Sequence, residues 1–207
     1  MARIVIIGGG IAGLSVAELL KPRLGRNDRL TLVSDRDRLH YPPAHPWVAM
    51  GAESSRSEVP LGAYLASLGI DFVLASVRQL RPQARQVGLA GGNTLAYDYL
   101  VVATGREAAF TEIEGLAPER GFVHSVIRLE DARQAHAAFE RFLKRPGPLI
   151  VGAAQHTSAV VAAYELAFML DDDLREKGLR GKVPITMVTA EPCLGHFGIG
   201  GNEQRRA

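Results

Sequence analysis

The chain has 207 residues, 47% of them hydrophobic and 22% charged, enough for one domain or for one and part of another at ~100–200 residues each. Its 24 Lys and Arg nearly balance 22 Asp and Glu, giving a net charge of +2 with the basic residues scattered; a nucleic-acid footprint, a collagen-like chain and global disorder are excluded. The single cysteine, Cys193, excludes an internal disulfide, a CxxC redox pair and a cysteine-rich zinc site.

From the N-terminus, the apolar run ending at Ile7 is too short for the core of a signal peptide and meets Gly8-Gly9-Gly10, so Arg3 to Ile7 reads as a strand. A helix over Ile11 to Lys21 and a strand over Leu30 to Val33 complete a βαβ unit. Leu14, Ala17 and Glu18 with Leu20 form the packing face of that helix. A helix over Leu61 to Leu68, ended by Gly69, leads to a third strand, Asp71 to Ala75. The fold class is therefore α/β, a Rossmann-like doubly wound sheet. Alternating pieces at Val77 to Leu80, Gln86 to Leu89 and Thr94 to Tyr97 predict an antiparallel meander. Tyr99 to Ala103 follows as a strand expected to be buried on both faces, ending at Thr104-Gly105.

The first domain thus spans 1–106. Residues 107–147 form a polar crossover with one helix, roughly Leu129 to Leu143, and 148–207 begin a second Rossmann-like domain expected to be incomplete. Its strand Leu149 to Gly152, helix Thr157 to Leu170 and strand Pro184 to Thr189 repeat the βαβ pattern. The greasy stretch Ser158 to Leu170 is too short to span a bilayer and is expected to be a buried helix, in which Glu165 needs a buried partner or a site-facing role. Asp171-Asp172-Asp173 reads as a solvated helix end. His124 and His136 read as exposed polar residues, and no metal-binding spacing is present.

Gly8, Gly10 and Gly13 form GxGxxG between a strand and a helix, the arrangement of a dinucleotide fingerprint. Gly8 permits the tight turn, Gly10 lets the backbone approach a pyrophosphate, and Gly13 lets the helix pack close. The amides of Ile11, Ala12 and Gly13 open that helix and face the phosphates. Asp35 lies 22 positions beyond Gly13, close to the ~20 expected of the carboxylate that binds the adenosine ribose. In the second βαβ unit, Gly152-Ala153-Ala154-Gln155-His156-Thr157 lacks the second and third glycines, so direct NADH use is not expected.

An apolar strand ending in Ala103-Thr104-Gly105 after a meander resembles the second FAD motif of two-dinucleotide-fold flavoproteins, which favours FAD over NAD. The resemblance narrows with Ser34-Asp35-Arg36-Asp37, Pro43-Ala44-His45-Pro46-Trp47-Val48, Tyr164-Glu165 after the Gly152 turn, and Glu191-Pro192 with Gly195-His196-Phe197-Gly198-Ile199. Together these make the chain, to about Gly201, similar to the sulfide:quinone oxidoreductase family. That family oxidises sulfide at a cysteine pair beside FAD and passes electrons to a membrane quinone. The resemblance implies that Ser34 and Asp35 receive the adenosine ribose, Ser76 and Val77 the adenine through backbone groups, and Thr104 with Gly105 the phosphate and ribityl side. It gives His196 a proton-handling role near the quinone. Trp47, the only tryptophan, reads either as a flavin or substrate contact or as a loop anchor fixed by Pro43 and Pro46.

The family pattern also exposes departures. A redox cysteine is replaced in the run His156-Thr157-Ser158-Ala159, and a second one in Ser125-Val126-Ile127, at Ile127. Cys193 stands where relatives carry an aromatic residue and is not expected to be a displaced thiol. No catalytic residue is assigned. The remaining family cysteine, the last FAD motif and the amphipathic membrane segments are expected beyond the chain's end. The leading expectation is an FAD-dependent oxidoreductase of this kind, with sulfide and quinone as family substrates and no nucleic acid. The alternatives are a catalytically silent flavin-binding or interaction module, or half of a split flavoenzyme completed by a second chain or by oligomerisation. The expected location is cytoplasmic, or peripheral to the inner membrane as in full-length relatives.

Overall fold

The computed structural model describes residues 1–116, 123–155, 157 and 160–197. Two compact units divide the chain: Met1–Tyr41 with Ser55–Ala108, and Pro42–Ser54 with Ala109–Ala207.

In the first unit, β1 (Arg3–Ile7), α1 (Ile11–Leu20) and β2 (Arg29–Ser34) are followed by β3 (Arg38–His40). After the 42–54 segment come β4 (Glu58–Pro60), α3 (Leu61–Ser67) and β5 (Asp71–Leu74), where α2 names the intervening helix His45–Ala49 of the second unit. The unit is completed by β6 (Val77–Arg81), β7 (Gln86–Leu89), β8 (Thr94–Ala96) and β9 (Tyr99–Val102). The parallel sheet has the order β5-β2-β1-β9, with Ile7 opposite both Val33 and Val102. The predicted α/β class holds.

Strand alternation sorts the core into two layers. Ile4 and Ile6 pack with Leu14 and Ala17 of α1 and with Leu61 and Leu65 of α3. Val5 and Ile7 pack on the other face against Val87 and Leu89 of the antiparallel β6-β7-β8 meander. A central parallel strand covered on both faces needs no polar alternation, which is why its sequence is a continuous apolar run. On α1 the buried residues are Gly13, Leu14 and Ala17; Glu18 is exposed and accepts the Tyr64 hydroxyl.

β9 departs from expectation: Tyr99 is 65% and Val102 58% exposed. It is the last strand on its side of the sheet among the described residues, and no further strand covers it there. Ahead of β9, Asp98 fixes the start of β1, accepting from the Arg3 backbone amide at 2.8 Å and from the Arg3 guanidinium at 2.9 Å and 3.2 Å. These bonds, led by the guanidinium, hold the Asp98 carboxyl down to about 2. A depressed carboxylate pKa contributes stability above the unfolded value near pH 4, lost as pH falls toward the folded value. Asp98→Asn is therefore expected to be less stable than wild type near neutrality and equal to it near pH 2, as acid-dependent urea melts will show; an undiminished gap at low pH defeats the assignment.

In the second unit, α4 (Leu129–Lys144), β10 (Leu149–Ala153), α5 (Val160–Glu176) and β11 (Ile185–Thr189) follow in order, with β10 and β11 parallel. α2 belongs to this unit: Val48 and Ala49 share a core with Leu129 and Ala132 of α4. Gly51, at φ +98°, lies against the His136 ring, which is half-buried rather than exposed.

α5 is not the buried helix expected from its composition. Val161 and Phe168 are exposed, the latter at 71%, while Ala163, Leu170 and Leu174 are buried. The aspartate run lies inside α5 rather than at its end: Asp171 pairs with Arg175 at 2.6 Å and with Arg180, and Asp173 pairs with Lys177. Helix i,i+4 pairs extend the helix past the apolar stretch. The expected helix residues Ser158 and Ala159 lie outside the described residues. No helix among the described residues is long and apolar enough to cross a membrane.

Candidate functional site

Because β1, β2, β5 and β9 are parallel, their carboxyl ends share one edge of the first unit. The chain runs from β1 through β2 to β5 on one side and returns as β9 on the other. A crevice between strands that diverge in this way is where doubly wound folds bind ligands. The edge gathers the expected residues: the Gly8 to Gly13 turn after β1, Ser34 and Asp35 at β2, Ser76 and Val77 after β5, and Thr104 with Gly105 after β9.

The three fingerprint glycines have different physical reasons. Gly8 has φ +111°, and an added Cβ would fall on the Ala103 carbonyl oxygen. At Gly13 a Cβ would fall on the Gly8 carbonyl oxygen. Both glycines are required by the protein's own backbone. Gly10 is different: its φ of −82° is open to any residue, and a Cβ there meets nothing within 4 Å. Nothing in the chain itself requires a glycine there.

Gly10 is also the N-cap of α1, with no side-chain cap and no acidic residue in the first turn. The partial positive charge of the opening amides at Ile11, Ala12 and Gly13 is therefore not offset by a side chain of the first turn. Ile11 and Ala12 are exposed.

Asp35 is exposed just past β2. Ser34 is buried, and its Oγ accepts the Arg36 amide at 3.1 Å, shaping the loop that carries Asp35. The Ser76 carbonyl accepts the Ala90 amide at 2.8 Å, and Val77 pairs with Leu89 in the meander. Thr104 and Gly105 are exposed, Gly105 at φ +76° with open space around it.

Sequence reasoning missed Gly9 and Leu61. A Cβ at Gly9 would lie 2.6 Å from Leu61 Cδ1 and 2.9 Å from Ser34 Oγ, so the turn is seated on both side chains. The repeated glycine was the only available signal, and nothing in sequence joins it to a leucine at the start of α3.

The second unit carries a different polar cluster. Glu191 Oε2 accepts the Tyr164 hydroxyl at 2.8 Å and the Thr189 hydroxyl at 2.9 Å, and Oε1 accepts the Phe197 amide at 2.6 Å. The Tyr164 oxygen accepts the Gly195 amide at 2.8 Å. Burial pushes the Glu191 carboxyl up, but Tyr164, Thr189, the Phe197 amide and nearby His196 together hold it below its ordinary value. For Tyr164 the Gly195 amide pulls the phenol down, while burial and Glu191 outweigh it and raise the pKa.

Gly152 lies within β10, opposite Val188, rather than in the turn after it, where Ala154 and Gln155 stand. Glu165 is exposed, not buried, and accepts the Trp47 indole N–H at 3.3 Å; Trp47 is itself 55% exposed on α2. At one expected thiol position, Ile127 offers its carbonyl to His45 Nδ1 at 3.1 Å. The other, Ala159, lies outside the described residues with His156, Ser158, Gly198 and Ile199.

The model for the pyridine nucleotide-disulphide oxidoreductase family matches residues 2–168. The chain is similar to a sulfide-quinone reductase of Aquifex aeolicus, 36% identical over 96% of this chain and 45% of the relative. A mitochondrial sulfide:quinone oxidoreductase of Dictyostelium discoideum is 28% identical over 92% of this chain and 42% of its own. The crystal structure of the Aquifex aeolicus sulfide:quinone oxidoreductase superposes with a TM-score of 0.89 at 35% identity, covering 97% of this chain and 46% of that one. The chain spans less than half the length of these relatives.

Proposed function

The chain belongs to the pyridine nucleotide-disulphide oxidoreductase family, and from that premise we propose that it is an FAD-dependent oxidoreductase, or the FAD-binding part of one, of the sulfide:quinone oxidoreductase kind. The cofactor of that family and of its sulfide:quinone oxidoreductase members is FAD. The first unit fits it. The observation that carries the reading is the division among the fingerprint glycines, two required by the fold and the third, Gly10, bare beside an uncapped helix terminus.

In this reading Gly10 and the Ile11, Ala12 and Gly13 amides hold the pyrophosphate, and Gly8 makes the turn. Asp35 accepts from the adenosine ribose on the loop that Ser34 shapes, backbone at Ser76 and Val77 meets the adenine, and Thr104 with Gly105 lies along the phosphate and ribityl side. Bound FAD supplies two-electron chemistry between a donor and an acceptor. The chain's part is to bind and orient it, with sulfide as donor and quinone as acceptor by likeness to the relatives.

Ile127 and Ala159 at the expected thiol positions favour a second reading, a flavin-binding module without thiol chemistry. The absorption spectrum of the purified protein, before and after adding FAD and removing the excess, tests the binding half. Retained flavin is expected, with affinity reduced at least roughly tenfold in Asp35→Asn. A folded protein that retains none ends the proposal. In the loaded protein, sulfide-dependent quinone reduction is expected to be weak or absent; brisk turnover instead removes the second reading.

A further inference from the structure

The second βαβ unit repeats the first in register. Ile7 pairs with Val33, two residues before Asp35; Ala153 pairs with Thr189, two residues before Glu191. Glu191 is therefore the positional counterpart of Asp35, at the point where a dinucleotide fold presents a carboxylate to the adenosine ribose. Their environments are opposite. Asp35 is exposed on an open edge, whereas Glu191 is half-buried and accepts three donors from its own chain.

A carboxylate has about four acceptor positions. Tyr164 and Thr189 fill both positions on Oε2 and the Phe197 amide takes one on Oε1, so a ribose diol cannot be received on both oxygens unless a donor to Oε2 is removed. The same bonds draw the loop after β11 back onto α5. The Gly195 amide donates to the Tyr164 oxygen, the Phe197 ring stands edge-on to the Tyr164 ring at 5.0 Å, and Phe197 is held at φ +49°, an uncommon conformation for a residue with a Cβ. The cluster lies at the carboxyl end of β11 beside the N-terminal half of α5, where a nucleotide would enter this unit.

We propose that Glu191 is a specificity-determining residue: clamped by Tyr164 and by the backbone of residues 195–197, it closes the second βαβ unit to a nucleotide ribose and so to a pyridine-nucleotide donor. This deepens the functional reading by removing one class of donor from this unit, and it holds whether or not the first unit retains flavin.

The test is a nuclear magnetic resonance titration of the full chain with AMP, which probes the ribose position without having to pass a pyrophosphate over the turn after β10. Shifts at the Ala190 and Glu191 amides report this site, and shifts at Gly10, Ile11 and Ala12 report the first unit. Wild type is expected to show no saturable shift at Ala190 and Glu191 up to roughly 1 mM AMP. In Tyr164→Phe, which removes one donor to Glu191 and the acceptor for Gly195, the Gly195 and Phe197 amides should exchange roughly tenfold faster. AMP should then produce saturable shifts at Ala190 and Glu191.

Saturable binding there in wild type overturns the proposal, and that measurement needs no variant. So does unchanged protection of Gly195 and Phe197 in Tyr164→Phe, or freed amides with no gain in AMP binding. Failure of the flavin reading appears separately, as absence of the retained flavin band.

Discussion

Gly13→Ala is expected to destabilise the first unit by more than about 3 kcal/mol and to yield little folded protein, whereas Gly10→Ala should fold and lose flavin. The two substitutions add the same methyl to the same short segment. At Gly13 it meets the Gly8 carbonyl oxygen, a backbone atom fixed by the turn, so α1 must move off the sheet edge or the turn must open. Gly8→Ala should behave like Gly13→Ala, since φ +111° and the Ala103 carbonyl both oppose a side chain. At Gly10 the backbone is ordinary and the space is empty, so the cost is below about 1 kcal/mol, the difference between glycine and alanine at an N-cap. The methyl then stands where a pyrophosphate must approach, and FAD affinity should fall at least roughly tenfold. Thermal melts and flavin retention on the two variants decide the matter. Equal flavin binding by wild type and Gly10→Ala would falsify the assigned site.

Leu61→Ala should cost about 3 kcal/mol and weaken flavin binding as well. Leu61 is fully buried in the core formed by α1, α3 and one face of the sheet, and truncating such a leucine carries both a transfer and a cavity penalty. Its Cδ1 also supports the turn at Gly9, so the cavity opens directly beneath the turn proposed to meet the pyrophosphate. Leu65→Ala is the control: it is equally buried in the same core. Urea melts should give the two variants similar losses, while flavin affinity measured well below the unfolding transition falls only in Leu61→Ala. Similar flavin losses in both would mean that general loosening, not support of the turn, links this core to the site.

Local signals carried much of this structure. The β1 run is apolar because both of its faces are covered, and the GxGxxG segment allows the turn and the close helix; such patterns can be read from neighbouring residues alone. The β6-β7-β8 meander was legible for the same reason, since its turns at Pro82 to Arg85 and at Gly91-Gly92 break the alternation. Errors came where burial depends on what lies alongside. Apolar β9 looks like a central strand, whereas among the described residues it is last in the sheet; α5 looks like a buried helix, whereas Val161 and Phe168 are exposed there. The extension of α5 through three aspartates was hidden because their partners Arg175, Lys177 and Arg180 matter only once the helix places them within reach.

By itself, the sequence determined the α/β class, the first βαβ unit with its three glycines and Asp35, and the likeness to sulfide:quinone oxidoreductases. The class and the βαβ unit rest on spacing along the chain, which backbone geometry converts directly into turns and periods; the likeness rests on motif resemblance alone. Only the tertiary structure decided which fingerprint glycines the fold requires and which one it does not, because that depends on whether a backbone oxygen or open space faces each Cα. It alone set Leu61 beneath Gly9, joined Trp47 to Glu165 across 118 positions, and engaged Glu191 with Tyr164, Thr189 and Phe197. Hydrogen bonds and packing act over a few ångströms in space, and no local pattern records which distant residues the fold will bring within that range.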